Sequence, residues 1–345
     1  MCDDPVYRSL QRSLCLLKDS IGRRPDAWDD YKLSCNPYEA VYSSSPPLVA
    51  CGAGGAKAPA SRAFYKLWEL VHDEPRLLSL VGDGSADLRV AYLAEAPGSF
   101  VEAVVSLRGG SRRPGDRHWG ITLQSPRRSV PLWRLPRAWM REHGVQLSRG
   151  GDGTGDITAP ANIEGLVGDC GGEGSCGLVT ADGGIDFSSD FNGQEHQIFA
   201  VLAAECLAAS RLLRPGGHCV LKVFDAFDAE TLGLLAAFAG QFSGYSVAKP
   251  RTSRPANSER YMVCLGFAGR SEGLARACAA LLSGEPPGAF AGLSDEAGRR
   301  LLRDRMVPHV VRQVESILGT LDAMDSRRKP GLDLAPDWLR RYVRP

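Results

Sequence analysis

The chain has 345 residues, 43% hydrophobic and 23% charged, with a formal net charge of +1. That composition suits a globular protein that buries one substantial core, or one core with a smaller appendage. With no run of about 18 apolar residues, no membrane span is expected, and the opening MCDDPVYRSL lacks the charged-then-apolar layout of a signal peptide. An intracellular protein without membrane contact is the expectation, in nucleus or cytoplasm, a viral factory included.

In chain order, Val6 to Lys18 reads as a short helix. It is followed by Pro- and Ser-rich connections (NPYEAVYSSSPP) and a stretch of small residues, CGAGGAKAPA. A helix is predicted from Ser61, a serine suited to capping, to His72. From there strands and helices alternate. Leu88–Ala96 reads as a buried strand, Phe100–Leu107 as a helix, and His118–Leu123 and Gly144–Ser148 as short strands. Cys176–Asp182 is a further strand, turning at Gly183-Gly184. A long amphipathic helix spans Asn192–Leu213 and stops at Arg214-Pro215-Gly216-Gly217. His218–Phe224 is a strand, Ala229–Ala239 a helix, and YSVAKP and RYMVCLGF are the last two strands. Alternation across short loops indicates a parallel α/β sheet, and the final two strands, with no long helix between them, suggest an antiparallel edge pair. Beyond Ala268 the chain turns helical, with segments around GLARACAALLSG, Ser294–Leu321 and Trp338. The predicted organisation is an N-terminal extension over 1–60, an α/β domain over 61–269 and a helical C-terminal extension over 270–345. Arg299–Val314 is amphipathic and basic enough to bind either a protein partner or RNA.

The ten cysteines are scattered, several in apolar surroundings (Cys206, Cys219, Cys264). Only Cys170 and Cys176 lie close together, without the second pair that a zinc site needs, so reduced thiols and no metal are expected. Charge is uneven along the chain. Between Arg108 and Arg149 stand ten arginines against Asp116 and Glu142 alone. Such an excess suits a phosphate backbone, and an Arg-rich solvated surface fits it equally.

Ligands of an open α/β sheet bind beyond the C-terminal ends of its strands, so polar residues there are the candidates for chemistry. The first strand ends in Glu95-Ala96-Pro97-Gly98-Ser99-Phe100 and enters a helix, whose N-terminus favours a carboxylate or phosphate. This is not the GxGxxG pattern of dinucleotide folds. The fourth strand ends in Asp182. The fifth carries Lys222 and then Asp225, and Glu259 opens the last strand. Each has an ordinary structural reading: Asp182 as a turn former, Lys222 extending to solvent from an edge, Glu259 as a surface charge. A lysine within an apolar strand is costly to bury unless paired, and all three fall on one edge of the sheet.

In order and context these residues resemble the FtsJ-like RNA 2′-O-methyltransferases, whose Rossmann-like fold carries a Lys-Asp-Lys-Glu tetrad. SRAFYKLWEL contains Lys66, TADGG contains Asp182, VLKVFD contains Lys222 and SERYMVC contains Glu259. EAPGSF is similar to the family's first cofactor loop, with Ser99 where a second glycine is usual. NPYE (Asn36 to Glu39), DGTGDIT (Asp152 to Thr158) and DFNGQE (Asp190 to Glu195) resemble the mRNA-cap branch, including versions from large DNA viruses and protists. The resemblance covers about Asn36 to Phe267. It implies a class I methyltransferase fold: a mixed seven-stranded sheet, its last strand pair antiparallel, with helices on both faces. It also implies S-adenosylmethionine as methyl donor and RNA, capped mRNA above all, as substrate.

For the site residues the resemblance implies Lys222 as the base, its pKa lowered by burial or a nearby cation, and Lys66 as that cation. Asp182 and Glu259 would orient the two amines. Glu95, Pro97, Gly98, Ser99 and Phe100 would hold the methionine end of the cofactor, with Asp182 close by, and Asp156 with Ile157 the adenine. Trp133 and Trp139 are candidates for stacking on a cap base, or are ordinary half-buried tryptophans. Arg127, Arg128, Arg134, Arg137 and Arg141 are candidates for its phosphates. A ribosomal- or transfer-RNA substrate and a catalytically silent RNA-binding subunit are the competing readings. The extensions around the core favour the cap, and the intact tetrad favours an enzyme.

Overall fold

The computed structural model describes residues 4–43, 58–82, 86–110, 113–127, 130–185, 187, 190–329 and 331–343. Its first half contains α1 (Pro5–Gly22), α2 (Pro25–Ser34), α3 (Ala40–Ser43), α4 (Ala63–Asp73), α5 (Pro75–Val81), β1 (Arg89–Leu93), α6 (Ser99–Leu107) and β2 (Arg117–Ile121). Next come α7 (Arg137–Glu142), β3 (Val145–Ser148), α8 (Pro160–Asp169), β4 (Cys176–Ala181), α9 (Gln194–Leu212) and β5 (Leu213–Val223). The chain continues through α10 (Ala229–Ala239), β6 (Phe242–Ala248), β7 (Arg260–Phe267), α11 (Glu272–Leu282), α12 (Glu296–Asp325) and α13 (Ala335–Tyr342).

The seven strands form one sheet in the order β3-β2-β1-β4-β5-β7-β6. β1 to β5 are parallel, and β7 runs antiparallel to both β5 and β6. This is the mixed sheet the resemblance implies. Side chains alternate across a strand, and the alternation divides the core in two. Ala91, Val179, Leu221 and Met262 face a layer that includes Leu166, Leu202 and Leu234 of α8, α9 and α10. Val90, Leu178, Val220 and Tyr261 face the opposite layer, with Leu67 of α4, Val104 of α6 and Trp338 of α13. By the same parity Asp182, Lys222 and Glu259 belong on the second face, the one covered by α4.

The helices at both ends share this core. Tyr7 and Leu14 of α1, and Met306 and Val310 of α12, lie in one buried cluster with strand residues. Leu302, Met306, Val310 and Ile317 give α12 an inward stripe at helical spacing, so the apolar side of this amphipathic segment is covered by the chain itself.

Several elements differ from the sequence expectation. The strand expected from His218 begins at Leu213, which pairs with Cys176 before a register shift, so the Arg-Pro-Gly-Gly segment lies within β5 rather than in a loop. Helix α4 starts at Ala63. Ser61 still contributes to its start, accepting from the Ala63 N–H at 3.2 Å. Helices α2, α5 and α8 were not foreseen. Each opens with proline, whose missing N–H costs nothing in a first turn.

Candidate active site

Four of the sequence-predicted residues meet at the C-terminal edge of the sheet. Asp182 directly follows β4, Lys222 is the penultimate residue of β5, and Glu259 directly precedes β7. Lys66 comes from α4, whose side chains are buried at seven of eleven positions. The four form two ion pairs. Lys66 Nζ lies 2.7 Å from Glu259, and Lys222 Nζ lies 3.1 Å from Asp182 Oδ1 while donating to the Asp182 carbonyl at 2.6 Å. Exposure is 5% for Lys66 and 9% for Lys222, so neither amine is a solvated surface charge.

Partners not foreseen from sequence fix both pairs. Tyr261 donates its hydroxyl to Asp182 Oδ1 at 2.8 Å. Ser253 Oγ donates to Glu259 Oε1 at 2.8 Å, and Lys249 Nζ donates to the Glu259 carbonyl at 2.7 Å. Behind them Glu69 accepts from the backbone N–H groups of Arg251 and Thr252 and from Trp338 Nε1, tying this loop to α4 and α13. Glu205 of α9 accepts the Gly183 N–H at 3.0 Å. A side chain at Gly183 would collide with it, a Cβ there falling 2.4 Å from Glu205 Oε1. One signal could have found Glu205: it is a carboxylate inside the apolar run VLAAECLAAS.

Burial and charge oppose each other in this cluster. For Glu259 burial acts to raise the pKa, but Lys66, Lys222 and Lys249 outweigh it and hold the carboxyl below the usual range. For Lys222 burial acts to lower the pKa, and Asp182 with Glu259 outweighs it, keeping the amine above its ordinary value. The free site therefore holds Lys222 as a cation. This departs from the lowered pKa expected of a resting base, because two carboxylates rather than Lys66 dominate its surroundings. Glu205 behaves oppositely: burial pushes its carboxyl up to about 8, with Lys222 and the Gly183 N–H pulling against that.

Beside the ion pairs lies the turn from β1 into α6. Gly98 is the N-cap of α6 at φ 106°, and a Cβ there would fall 2.8 Å from Leu135 and Trp133. Ser99, the departure from the family pattern, is buried and accepts from Ser61 Oγ at 2.9 Å, so its hydroxyl is engaged with the segment leading into α4. The Phe100 ring packs 6.1 Å from that of Tyr261. Glu95 is 4% exposed; Thr180 donates to its Oε1, while Oε2 has no hydrogen-bond partner among the described residues. Burial raises the Glu95 carboxyl well above its ordinary value.

The DGTGDIT loop follows β3. Asp156 Oδ1 accepts from the backbone and hydroxyl of Thr158, and Ile157 is buried. Asn162 of α8, missed in the sequence, is fully buried beneath the loop. It accepts the Asp152 N–H at 3.0 Å and donates to Thr154 Oγ1 at 3.0 Å and the Asp156 carbonyl at 2.9 Å. Gly155 has φ 66°, and a Cβ there would lie 2.2 Å from the Thr122 carbonyl, so the loop lies against the end of β2. Of the softer phrases, Glu39 of NPYE pairs with Arg254 at 2.9 Å, next in sequence to Ser253, and Glu195 of DFNGQE accepts the N–H groups of Phe227 and Asp228, in the segment after β5.

The arginine-rich stretch divides. Arg108 is buried against Asp116, which removes it from the surface excess. Arg127, Arg134, Arg137 and Arg141 are exposed, and Arg128 lies outside the described residues. Trp139 is buried beside His143. Trp133 is half-buried and packs over Gly98 and Gly120, where a Cβ would meet its ring at 2.8 and 2.6 Å. Among the described residues no group of three or more His, Cys, Asp or Glu is placed to hold a metal ion, and no helix is long and apolar enough to cross a membrane.

The "Cap-specific mRNA (nucleoside-2'-O-)-methyltransferase" of Autographa californica nuclear polyhedrosis virus is 37% identical over 172 residues, covering 50% of this chain and 62% of that protein. The "Cap-specific mRNA (nucleoside-2'-O-)-methyltransferase 1" of Trypanosoma brucei brucei is 33% identical over 239 residues, covering 67% of this chain and 62% of its own length. A protein of the same name from Danio rerio is 42% identical over 181 residues, 50% of this chain and 20% of its own. The chain thus spans about three-fifths of the viral and trypanosomal relatives, 62% of each. The model of the FtsJ-like methyltransferases matches residues 59–267, more than half of the chain, and with the tetrad's order and the sheet's topology it shows that this protein belongs to the FtsJ-like methyltransferase family.

Proposed function

We propose that this protein transfers a methyl group from S-adenosylmethionine to a ribose 2′-hydroxyl of RNA, at the cap-proximal nucleotide of mRNA. The observation that carries this reading is the pairing of Lys222 with Asp182 and of Lys66 with Glu259 on the strand edge beside the Gly98 turn.

The residues present fit the cofactor. The unpartnered Glu95 Oε2 suits the ammonium of its methionine end. Gly98, at a left-handed φ and the start of α6, leaves N–H groups for its carboxylate. Asp156 and the Ile157 backbone, on the loop braced by Asn162, suit an adenine edge. When bound, S-adenosylmethionine supplies a methyl group on a sulfonium, leaving as S-adenosylhomocysteine.

The chain's own part is positioning and proton transfer. Asp182 and Tyr261 hold the Lys222 amine by the strand edge. Lys222 Nζ takes the proton of the 2′-hydroxyl as the oxygen bonds to carbon. In the free site that amine is already protonated, so it acts as a base only after releasing that proton to solvent, a loss that the positive charge of the bound donor and the exclusion of water would favour. Lys66, fixed by Glu259, favours the developing alkoxide. The exposed Arg127, Arg134, Arg137 and Arg141, with Arg128, supply positive charge for RNA phosphates, and Trp133 borders the same region. The names of the relatives and the three phrases NPYE, DGTGDIT and DFNGQE favour a capped substrate over ribosomal or transfer RNA.

The test is transfer from labelled S-adenosylmethionine to short RNAs bearing a 7-methylguanosine cap, an unmethylated cap or a 5′-triphosphate. Cap-dependent transfer is expected. Equal transfer to all three, or to structured uncapped RNA alone, overturns the cap assignment.

A further inference from the structure

The β5–β7 ladder ends at the pair Val223–Arg260, so Glu259 lies one residue beyond backbone pairing. What holds the chain there is a buried polar cluster. Asp225 follows Lys222 by three residues, and Ser258 and Arg260 flank Glu259. Ser258 Oγ donates to Asp225 Oδ2 at 2.9 Å, and Arg260 Nη1 donates to Asp225 Oδ1 at 3.1 Å.

Two side chains from outside the family segment of 59–267 complete the cluster. Lys18 of α1 donates to Asp225 Oδ2 at 2.7 Å and to the Phe191 carbonyl at 3.1 Å, in the segment between Asp182 and α9. Gln313 of α12 accepts from Arg260 Nη2 at 2.8 Å and donates to Ser258 Oγ at 3.1 Å. Exposure is 8% for Lys18, 0% for Arg260 and 1% for Gln313. Burial acts to raise the Asp225 carboxyl, and Lys18 with Arg260 outweighs it, so the cluster carries charge.

Stability alone does not call for such a cluster. Buried ion pairs contribute little net energy compared with apolar packing of the same volume, whereas their bonds fix direction and distance. Here the directions are fixed on both sides of the ion pairs, at the residues following Lys222 and at those flanking Glu259. We infer that Lys18 and Gln313 are positioning residues for Lys222 and Glu259, acting through Asp225 and Arg260, so that helices α1 and α12 are part of the catalytic apparatus. The inference rests on the proposed roles of Lys222 and Glu259.

The experiment uses full-length Lys18→Met, Gln313→Leu and the double variant, with transfer kinetics, cofactor affinity by calorimetry and amide hydrogen exchange. Misplacement by a fraction of an ångström predicts a fall in kcat of roughly ten- to a hundredfold, with KM for RNA and Kd for S-adenosylmethionine within about twofold of wild type. Exchange should quicken in 222–228 and 258–260 and stay unchanged in β1 to β3. Wild-type kcat in folded variants overturns the inference. So does a fall in kcat matched by equal loss of cofactor binding and faster exchange throughout, which marks a general loss of stability. If Lys18→Met does not fold, Gln313→Leu decides alone. A wild-type protein that methylates no RNA refutes the proposed function instead. The exchange pattern then decides the positioning, local acceleration supporting it and its absence overturning it.

Discussion

Glu205→Gln isolates the electrostatics of the site without disturbing its shape. The carboxyl is fully buried and pushed up to about 8, whereas a glutamate in the unfolded chain titrates near 4.3. Below about pH 4 both states hold the proton. Between about 4 and 8 the unfolded chain is ionised while the folded one keeps its proton, so rising pH favours unfolding. The slope is at most about 1.4 kcal/mol per pH unit, and the full window sets a ceiling of about 5 kcal/mol. Glutamine retains an oxygen for the Gly183 N–H and cannot ionise. Urea unfolding at pH 5, 6, 7 and 8, followed by tryptophan fluorescence, should show wild-type stability falling relative to the variant at each step. Parallel stability curves across that range would refute the reasoning.

Other substitutions test the neighbouring elements. Gly98→Ala forces a side chain onto φ 106° and into Leu135 and Trp133, and should cost about 1–3 kcal/mol with weaker cofactor binding, read by thermal unfolding and calorimetry. Asn162→Leu removes three partly buried hydrogen bonds worth about 1 kcal/mol each from beneath the DGTGDIT loop. It should raise the Kd for S-adenosylmethionine at least about tenfold, and an unchanged Kd would remove that loop from the cofactor site. Because Lys222 is held above its ordinary value in the free site, its base form grows only as pH rises toward and past that value. kcat/KM for S-adenosylmethionine should therefore climb from pH 6 through about 9, and a plateau below pH 8 would contradict the assignment of Lys222 as base.

The sheet and the tetrad were legible because both are written in strong local patterns. Apolar runs bounded by turns gave most of the strands, and Lys222 stood out as a charge in an apolar strand that the resemblance then ordered. What sequence could not give was the set of partners contributed by distant segments. Tyr261, Asn162 and Ser253 act through contacts that depend on tertiary placement and their residue types are ordinary for a strand, a helix and a loop, whereas Glu205 was marked only by its apolar neighbours, with nothing to say what it would bind. The protonation of Lys222 was misjudged for the same reason, since it turns on two carboxylates that converge only in the folded chain. Of the two readings open for the tryptophans, the ordinary half-buried one holds for Trp133, which packs over two glycines, and Trp139 is more deeply buried still. The strand beginning at Leu213 was hidden because Pro-Gly-Gly reads locally as a turn, while pairing with β4 starts before it.

The most direct test of the central claim is to digest methylated RNA to nucleosides after reaction with the wild type, Lys222→Ala and Lys66→Ala, with cofactor binding measured for each. The account predicts labelled 2′-O-methylnucleoside from the wild type alone, with Lys222→Ala still binding S-adenosylmethionine. Label on a base, or wild-type yields of 2′-O-methylnucleoside from Lys222→Ala, would contradict it.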